Sequence, residues 1–217
     1  MKNIKRMLDM KLPRKQSAFL WGARKTGKTT YLKEKFPKAI VYDFLKTDLF
    51  LEVSKNPSLL REQLLAKEKH LLSEPVILDE VQKVPQVFDE VHWLIENKGL
   101  RFILCGSSAR KLKRGHVNLL GGRAWRYELF PLASPEIGKI NLLHALNNGL
   151  IPQHYLQNIQ DCKKSLEAYV QDYLREEIFA EGLTRNIPAF SRFFDAFGYS
   201  HGAVSYTHLT LPTKRIV

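Results

Sequence analysis

Ser17-Ala-Phe-Leu-Trp21-Gly22-Ala23-Arg24-Lys25-Thr26-Gly27-Lys28-Thr29-Thr30 is the stretch that decides the fold. Ser17 to Trp21 is an apolar run of strand length that stops at Gly22, and Thr29 to Phe36 is rich in helix formers and stops before Pro37. Between them, Gly22 to Thr29 satisfies G-x-x-x-x-G-K-[ST] in full. Strand, glycine loop and helix in this order make a phosphate cradle. The glycines let successive N–H groups turn inward, and the helix N-terminus adds partial positive charge. On this reading Gly22, Ala23, Arg24, Lys25, Thr26, Gly27 and Thr30 wrap a nucleotide. Lys28 reaches its β- and γ-phosphates, and the Thr29 hydroxyl ligates Mg2+.

Further apolar runs at Ala39 to Tyr42, Val76 to Leu78, Arg101 to Cys105 and Trp125 to Leu129 read as strands, with helical patterns at Pro57 to Leu72 and Pro85 to Asn97. Strands alternating with helices predict an α/β fold, a mostly parallel sheet covered on both faces. Val76-Ile-Leu-Asp79-Glu80 ends in two carboxylates. Such a pair at a strand end is ordinarily a solvated turn. Beside a phosphate loop, Asp79 is placed to hold Mg2+ or its water, and Glu80 to orient and deprotonate the water that attacks the γ-phosphate. Phe102 to Cys105 runs into Gly106-Ser107-Ser108, which puts hydroxyls at the sheet edge where ligands of open α/β folds bind. One serine is a candidate γ-phosphate sensor, and for Ser108 an N-cap of a following helix is the alternative.

The rest of the composition narrows the field. The 217 residues, 44% hydrophobic and 26% charged, suit one complete domain and part of a second, and exclude disordered and low-complexity classes. A net charge of +12 favours polyanionic partners without choosing among nucleotide, nucleic acid and acidic membrane. Two cysteines, Cys105 and Cys162, do not make a disulfide scaffold and fit a reducing compartment, so a cytoplasmic protein is expected. Cys105 reads as a core residue. The seven histidines include no pair at metal-ligand spacing, so no zinc site is expected. Arg110, Lys111, Lys113, Arg114 and His116 form a basic cluster, read either as a solvated loop or as a contact for phosphate, nucleic acid or an acidic neighbour.

At the N-terminus, charge and apolar residues alternate without the apolar core of a signal peptide. Ile4, Met7, Leu8 and Leu12 predict a short amphipathic helix with a solvated basic face, stopped by Pro13. Residues 140 to 160 carry no charge, yet hold too many Asn, Gln and Pro for a membrane span. The first domain is expected to cover 1–135 and a connector with a short helix 136–160. A helical second domain should begin over 161–203, with amphipathic helices from Leu166 to Gly182 and Pro188 to Phe197. Val204 to Thr213 has no helical period, and it back-translates into what resembles a transposon-derived sequencing adapter. Residues 204–217 are therefore read as an assembly scar, the alternative being a genuine β-like tail.

In these motifs the chain resembles the prokaryotic AAA-type ATPases that carry a C-terminal domain of unknown function. The resemblance runs over roughly residues 1 to 202. It rests on the phosphate loop with Arg24 inside it, on Asp79-Glu-Val-Gln-Lys-Val-Pro85, and on Cys105-Gly-Ser-Ser-Ala-Arg110. Further matches are Gly122-Arg123 before Glu128-Leu-Phe-Pro-Leu132, Tyr173-Leu-Arg-Glu-Glu-Ile178 and Arg185-Asn-Ile-Pro-Ala-Phe190. It implies a P-loop NTPase of AAA-like form, in which the sensor strand lies between the phosphate-loop strand and the acidic strand, and a helical domain continues past residue 217. It also implies ATP as substrate and Mg2+ as cofactor. Gly22, Gly27, Lys28, Thr29, Asp79 and Glu80 match the nucleotide motifs, and Ser107 matches the polar sensor. Arg123 fits the place of an arginine finger acting in trans within a homo-oligomer or on a partner protein, with a structural salt bridge as the competing reading.

An ATPase whose hydrolysis drives or gates a change in the attached helical domain is the leading reading. A P-loop small-molecule kinase would need an acceptor pocket, and the Asp79-Glu80 pair favours water as acceptor. A nucleic-acid-binding switch with little turnover is the third reading, and it would reveal itself by log-linear weakening with salt.

Overall fold

Five short apolar runs join in one parallel sheet. The computed structural model describes residues 4–13, 16–107, 120–173 and 186–200. Within them, β1 (Ser17–Trp21), β2 (Val41–Asp43), β3 (Val76–Asp79), β4 (Phe102–Gly106) and β5 (Ala124–Glu128) lie in the order β2-β3-β4-β1-β5. Every neighbouring pair is parallel. The strand ending in Gly106 therefore separates the phosphate-loop strand from the acidic strand, as the resemblance implies. From β1 the chain crosses to β2 on one side, and from β4 it crosses to β5 on the other. A crevice for ligand forms where such crossovers diverge, at the carboxyl ends of the strands.

β1, β3 and β4 are buried along their whole length, as strands covered on both faces must be. Their residues alternate between two cores. Phe19, Trp21, Val76, Leu78, Phe102 and Leu104 face one, where α2 (Thr47–Lys55), α3 (Ser58–Leu65) and α4 (Val87–Lys98) supply Val53, Leu60, Leu64, Val91 and Leu94. Leu20, Ile77, Ile103 and Cys105 face the other, closed by Tyr31 and Leu32 of α1 (Lys28–Lys35) and by Met10. Cys105 is a core residue, as expected, and burial holds its thiol well above the ordinary range.

The N-terminal residues depart from the helix that their spacing predicts. Residues 4–12 are not helical; Ile4, Arg6, Leu8, Met10 and Leu12 are turned at least partly inward while Lys5, Met7, Asp9 and Lys11 are exposed, an alternation with the period of extended chain. The tertiary surface offers a groove beside α1, and an extended strap fills it with one side of its residues. Lys5 and Lys11 are solvated as expected, whereas Arg6 is not. The helix predicted over 57–72 ends at Leu65 and resumes only as a single 3-10 turn at Lys69–Leu72. Leu60 and Leu64 are its buried residues and nothing from Ala66 to Leu71 is buried, so no packing sustains further turns. α2, whose nine residues carry Val53 into the core, has no counterpart among the helices that the sequence predicts.

Beyond β5 come three short helices where a connection with one is predicted: α5 (Ser134–Ile137), α6 (Leu142–Asn148) and α7 (Pro152–Tyr155), followed by α8 (Ile159–Tyr173). The turn between α6 and α7 is pinned by the buried Asn148, whose Nδ2 donates to the carbonyls of His154 at 3.2 Å and Gln157 at 2.9 Å. The chain divides into two compact units, Met1–Leu166 and Glu167–Val217. In the second, α9 (Ile187–Tyr199) is capped by the Asn186 side chain, which accepts the Ala189 N–H at 3.0 Å. Its Phe190, Phe193, Phe194 and Phe197 form a run of ring contacts, and Phe193 and Phe197 are exposed. Among the described residues no helix is long and apolar enough to cross a membrane. Ser108, the basic cluster from Arg110 to His116, the segment Leu174 to Arg185 and residues 204–217 lie outside the described residues.

Candidate functional site

The phosphate loop leaves the carboxyl end of β1 at Trp21 and enters α1 at Lys28. Gly22 is required there by contact, because a Cβ on it would overlap the backbone carbonyl of Leu129, the residue that follows β5. Lys25 holds a left-handed backbone, φ 63°, the kind of turn in which successive backbone N–H groups of a phosphate loop converge. The Thr26 hydroxyl donates to the Ala23 carbonyl at 2.8 Å and braces the turn from within. Lys28 Nζ folds back onto the loop and donates to the carbonyls of Gly22 at 2.7 Å and Ala23 at 3.1 Å.

The acidic strand meets the loop directly. Thr29 Oγ1 donates to Asp79 Oδ2 at 2.8 Å, so the two oxygens expected to share a cation are adjacent although fifty residues apart in sequence. Asp79 Oδ1 accepts the N–H of Glu80 at 3.1 Å. Glu80 has a left-handed backbone, φ 56°, a conformation that costs a non-glycine residue about 1 kcal/mol or more and turns it off the line of β3. Burial pushes the Glu80 carboxyl above its ordinary value, the Lys28 ammonium pulls it down, and the Asp79 charge adds to the rise. A carboxylate shifted in this direction is a better proton acceptor near neutrality than an exposed one.

A cavity of about 530 Å³, within the range of small-molecule sites, covers this arrangement. Arg24, Lys25, Thr26, Gly27, Lys28, Thr29 and Thr30 line it together with Asp79 and Glu80. Gly22 and Ala23 contribute the carbonyls that hold Lys28. Ile4, Leu132 and Leu156 give the same cavity an apolar wall. Ser107 follows β4 on the same edge of the sheet and is reached by Gln82 Nε2 at 3.4 Å, a donor that also serves Glu80 Oε2.

Arg123 stands elsewhere. It precedes β5, and its carbonyl accepts the N–H of Ser17, the first residue of β1. That is the amino edge of the sheet, a strand length or roughly 15 Å from the phosphate loop of its own chain. Its guanidinium pairs with Glu96 of α4.

Sequence reasoning missed Arg6. Its Nη1 donates to the carbonyl of Thr26 in the loop at 2.7 Å, its Nη2 to that of Phe130 at 2.5 Å, and its Nε to Glu136 Oε1 at 3.0 Å. The pair is nearly sealed from solvent, with side-chain exposures of 7% and 4%. Glu136 in turn accepts the backbone N–H groups of Met7 and Ala133. Burial alone would raise the Glu136 carboxyl, but these donors and Arg6 together hold it below its ordinary value. The local signal for an inward Arg6 is the alternation of residues 4 to 12.

A family model described as "AAA domain" matches residues 14–138, more than half of the chain and all five strands. No curated protein matches the chain at a significant level.

Proposed function

The chain belongs to the AAA domain family, and from that premise we propose that it binds ATP with Mg2+ and hydrolyses it. The single observation that carries this reading is the 2.8 Å bond between Thr29 of the loop and Asp79 of the acidic strand, with Lys28 and Glu80 on the same cavity. Two adjacent oxygen donors, one anionic, fit a hard cation such as Mg2+. When bound there, the ion would neutralise charge on the phosphate oxygens.

The chain's own residues account for the remaining chemistry. Lys28 exchanges two neutral carbonyl partners for anionic phosphate oxygens, which are stronger acceptors. The loop N–H groups and the start of α1 hold the phosphates in place. Ile4, Leu132 and Leu156 suit the apolar face of a base. Glu80 orients water on the γ-phosphorus and takes its proton as the bond to the bridging oxygen breaks, giving ADP and phosphate. Ser107 supplies a polar contact to the γ-phosphate. Hydrolysis drives or gates a change in the helical unit that follows in the chain, and Arg123 serves a neighbouring copy or partner.

Phosphate release from ATP, measured with Mg2+ and again with a chelator, tests the reading. Turnover abolished by chelation is the expected result. A parent protein that neither binds ATP nor releases phosphate overturns it.

A further inference from the structure

Gln82 lies in the single 3-10 turn, Val81–Lys83, that follows Glu80. It is buried, 7% exposed. Its Nε2 donates to Glu80 Oε2 and, at 3.4 Å, to Ser107 Oγ, both side chains of the site. Its Oε1 is equally buried and has no hydrogen-bond partner. That oxygen rests against Gly106, where a Cβ would overlap it and would also stand 2.9 Å from the Trp21 ring. Gly106 thus makes room on β4 for an amide that comes from beyond β3.

An orphaned buried acceptor is unfavourable, and a methionine of similar length would fill the same space without one. What an amide adds here is the donor group shared by Glu80 and Ser107. We infer that Gln82 is a positioning residue that bridges Glu80 to Ser107, holding the proton acceptor and the phosphate sensor as one unit. The inference rests on the assignment of Glu80 to the attacking water.

The test is a set of variants in the full chain: Gln82→Met, which keeps volume and removes the donor, Gly106→Ala, which crowds the amide, Glu80→Gln, and the Glu80→Gln/Gln82→Met double. Steady-state turnover and KM are read with ATP, affinity with a non-hydrolysable ATP analogue, and folding by melting temperature. Gln82→Met is expected to lower kcat by about ten- to a hundredfold, the range of a hydrogen bond to a charged group, with KM and analogue affinity within about threefold. Gly106→Ala should reproduce the loss, and should it fail to fold, Gln82→Met decides alone. The double variant should be no slower than Glu80→Gln, because Gln82 acts through Glu80. Gln82→Met with kcat within about twofold of the parent, or a double variant slowed by the full product of the single effects, overturns the inference and leaves the ATPase reading standing. A Glu80→Gln protein with parental turnover overturns the inference together with the assignment of Glu80 to the attacking water.

Discussion

Among the described residues, two arginine–glutamate pairs flank the sheet, one at the carboxyl ends of its strands and one at the amino ends. At the carboxyl edge, Arg6 and Glu136 are nearly sealed, at 7% and 4% exposed, and every remaining hydrogen-bonding group of the pair has a backbone partner. At the amino edge, Arg123 and Glu96 meet in the open, at 40% and 49% exposed. The chemistry of the two pairs is the same and their consequence is not. Removing one member of a buried pair strands its partner without solvent, whereas a surface pair contributes little that water and salt do not replace. The carboxyl edge is therefore built as a fixed frame around the phosphate loop, and the amino edge as ordinary surface whose arginine is held only by a solvent-exposed pair.

The sharpest way to break this contrast is Arg6→Ala. It should cost about 3 kcal/mol of unfolding free energy, because Glu136 is left buried and unpaired. It should also weaken ATP binding, since the Thr26 carbonyl loses the donor that holds that part of the loop. Denaturant unfolding and nucleotide titration check the two halves. A loss no larger than that of Arg123→Ala would erase the distinction between the edges.

Acid provides the next probe. The Glu136 carboxyl lies below its ordinary value near 4.5 in the folded chain, so its contribution is fully present above that value and is lost as pH falls through the lowered folded value. Stability of the parent should decline over that acid range more steeply than stability of Glu136→Gln. Parallel curves would show that the pair does not carry the linkage.

Arg123→Ala is the smallest expected effect, within about 1 kcal/mol in stability. If Arg123 serves a neighbour, its loss should lower turnover only at protein concentrations where copies associate. Specific activity independent of concentration, with Arg123→Ala unaffected, removes the trans role.

What the sequence shows and what it hides follows the same contrast. Gly22 to Thr29, Asp79 with Glu80, and Ser107 are legible because each is contiguous with the strand that places it, and the sheet needs only its order to bring them together. Arg6 with Glu136 is a contact across 130 residues, formed by an extended strap, and no local period announces its partner. Helical spacing of Ile4, Met7, Leu8 and Leu12 competes there with alternation of charged and apolar residues, and the groove beside α1 selects the latter. Gln82 with Gly106 is hidden for a different reason. Each is an unremarkable residue of its own turn or strand, and only the adjacency of β3 and β4 gives them a joint meaning.

The central claim is that one cavity binds triphosphate through Lys28 and cleaves it through Glu80. The direct measurement is ATP affinity and turnover of Lys28→Ala and Glu80→Gln side by side. Lys28→Ala should lose about a hundredfold in affinity, while Glu80→Gln should bind like the parent and lose at least about a hundredfold in kcat. Parental turnover in Glu80→Gln, or undiminished binding in Lys28→Ala, would contradict the account.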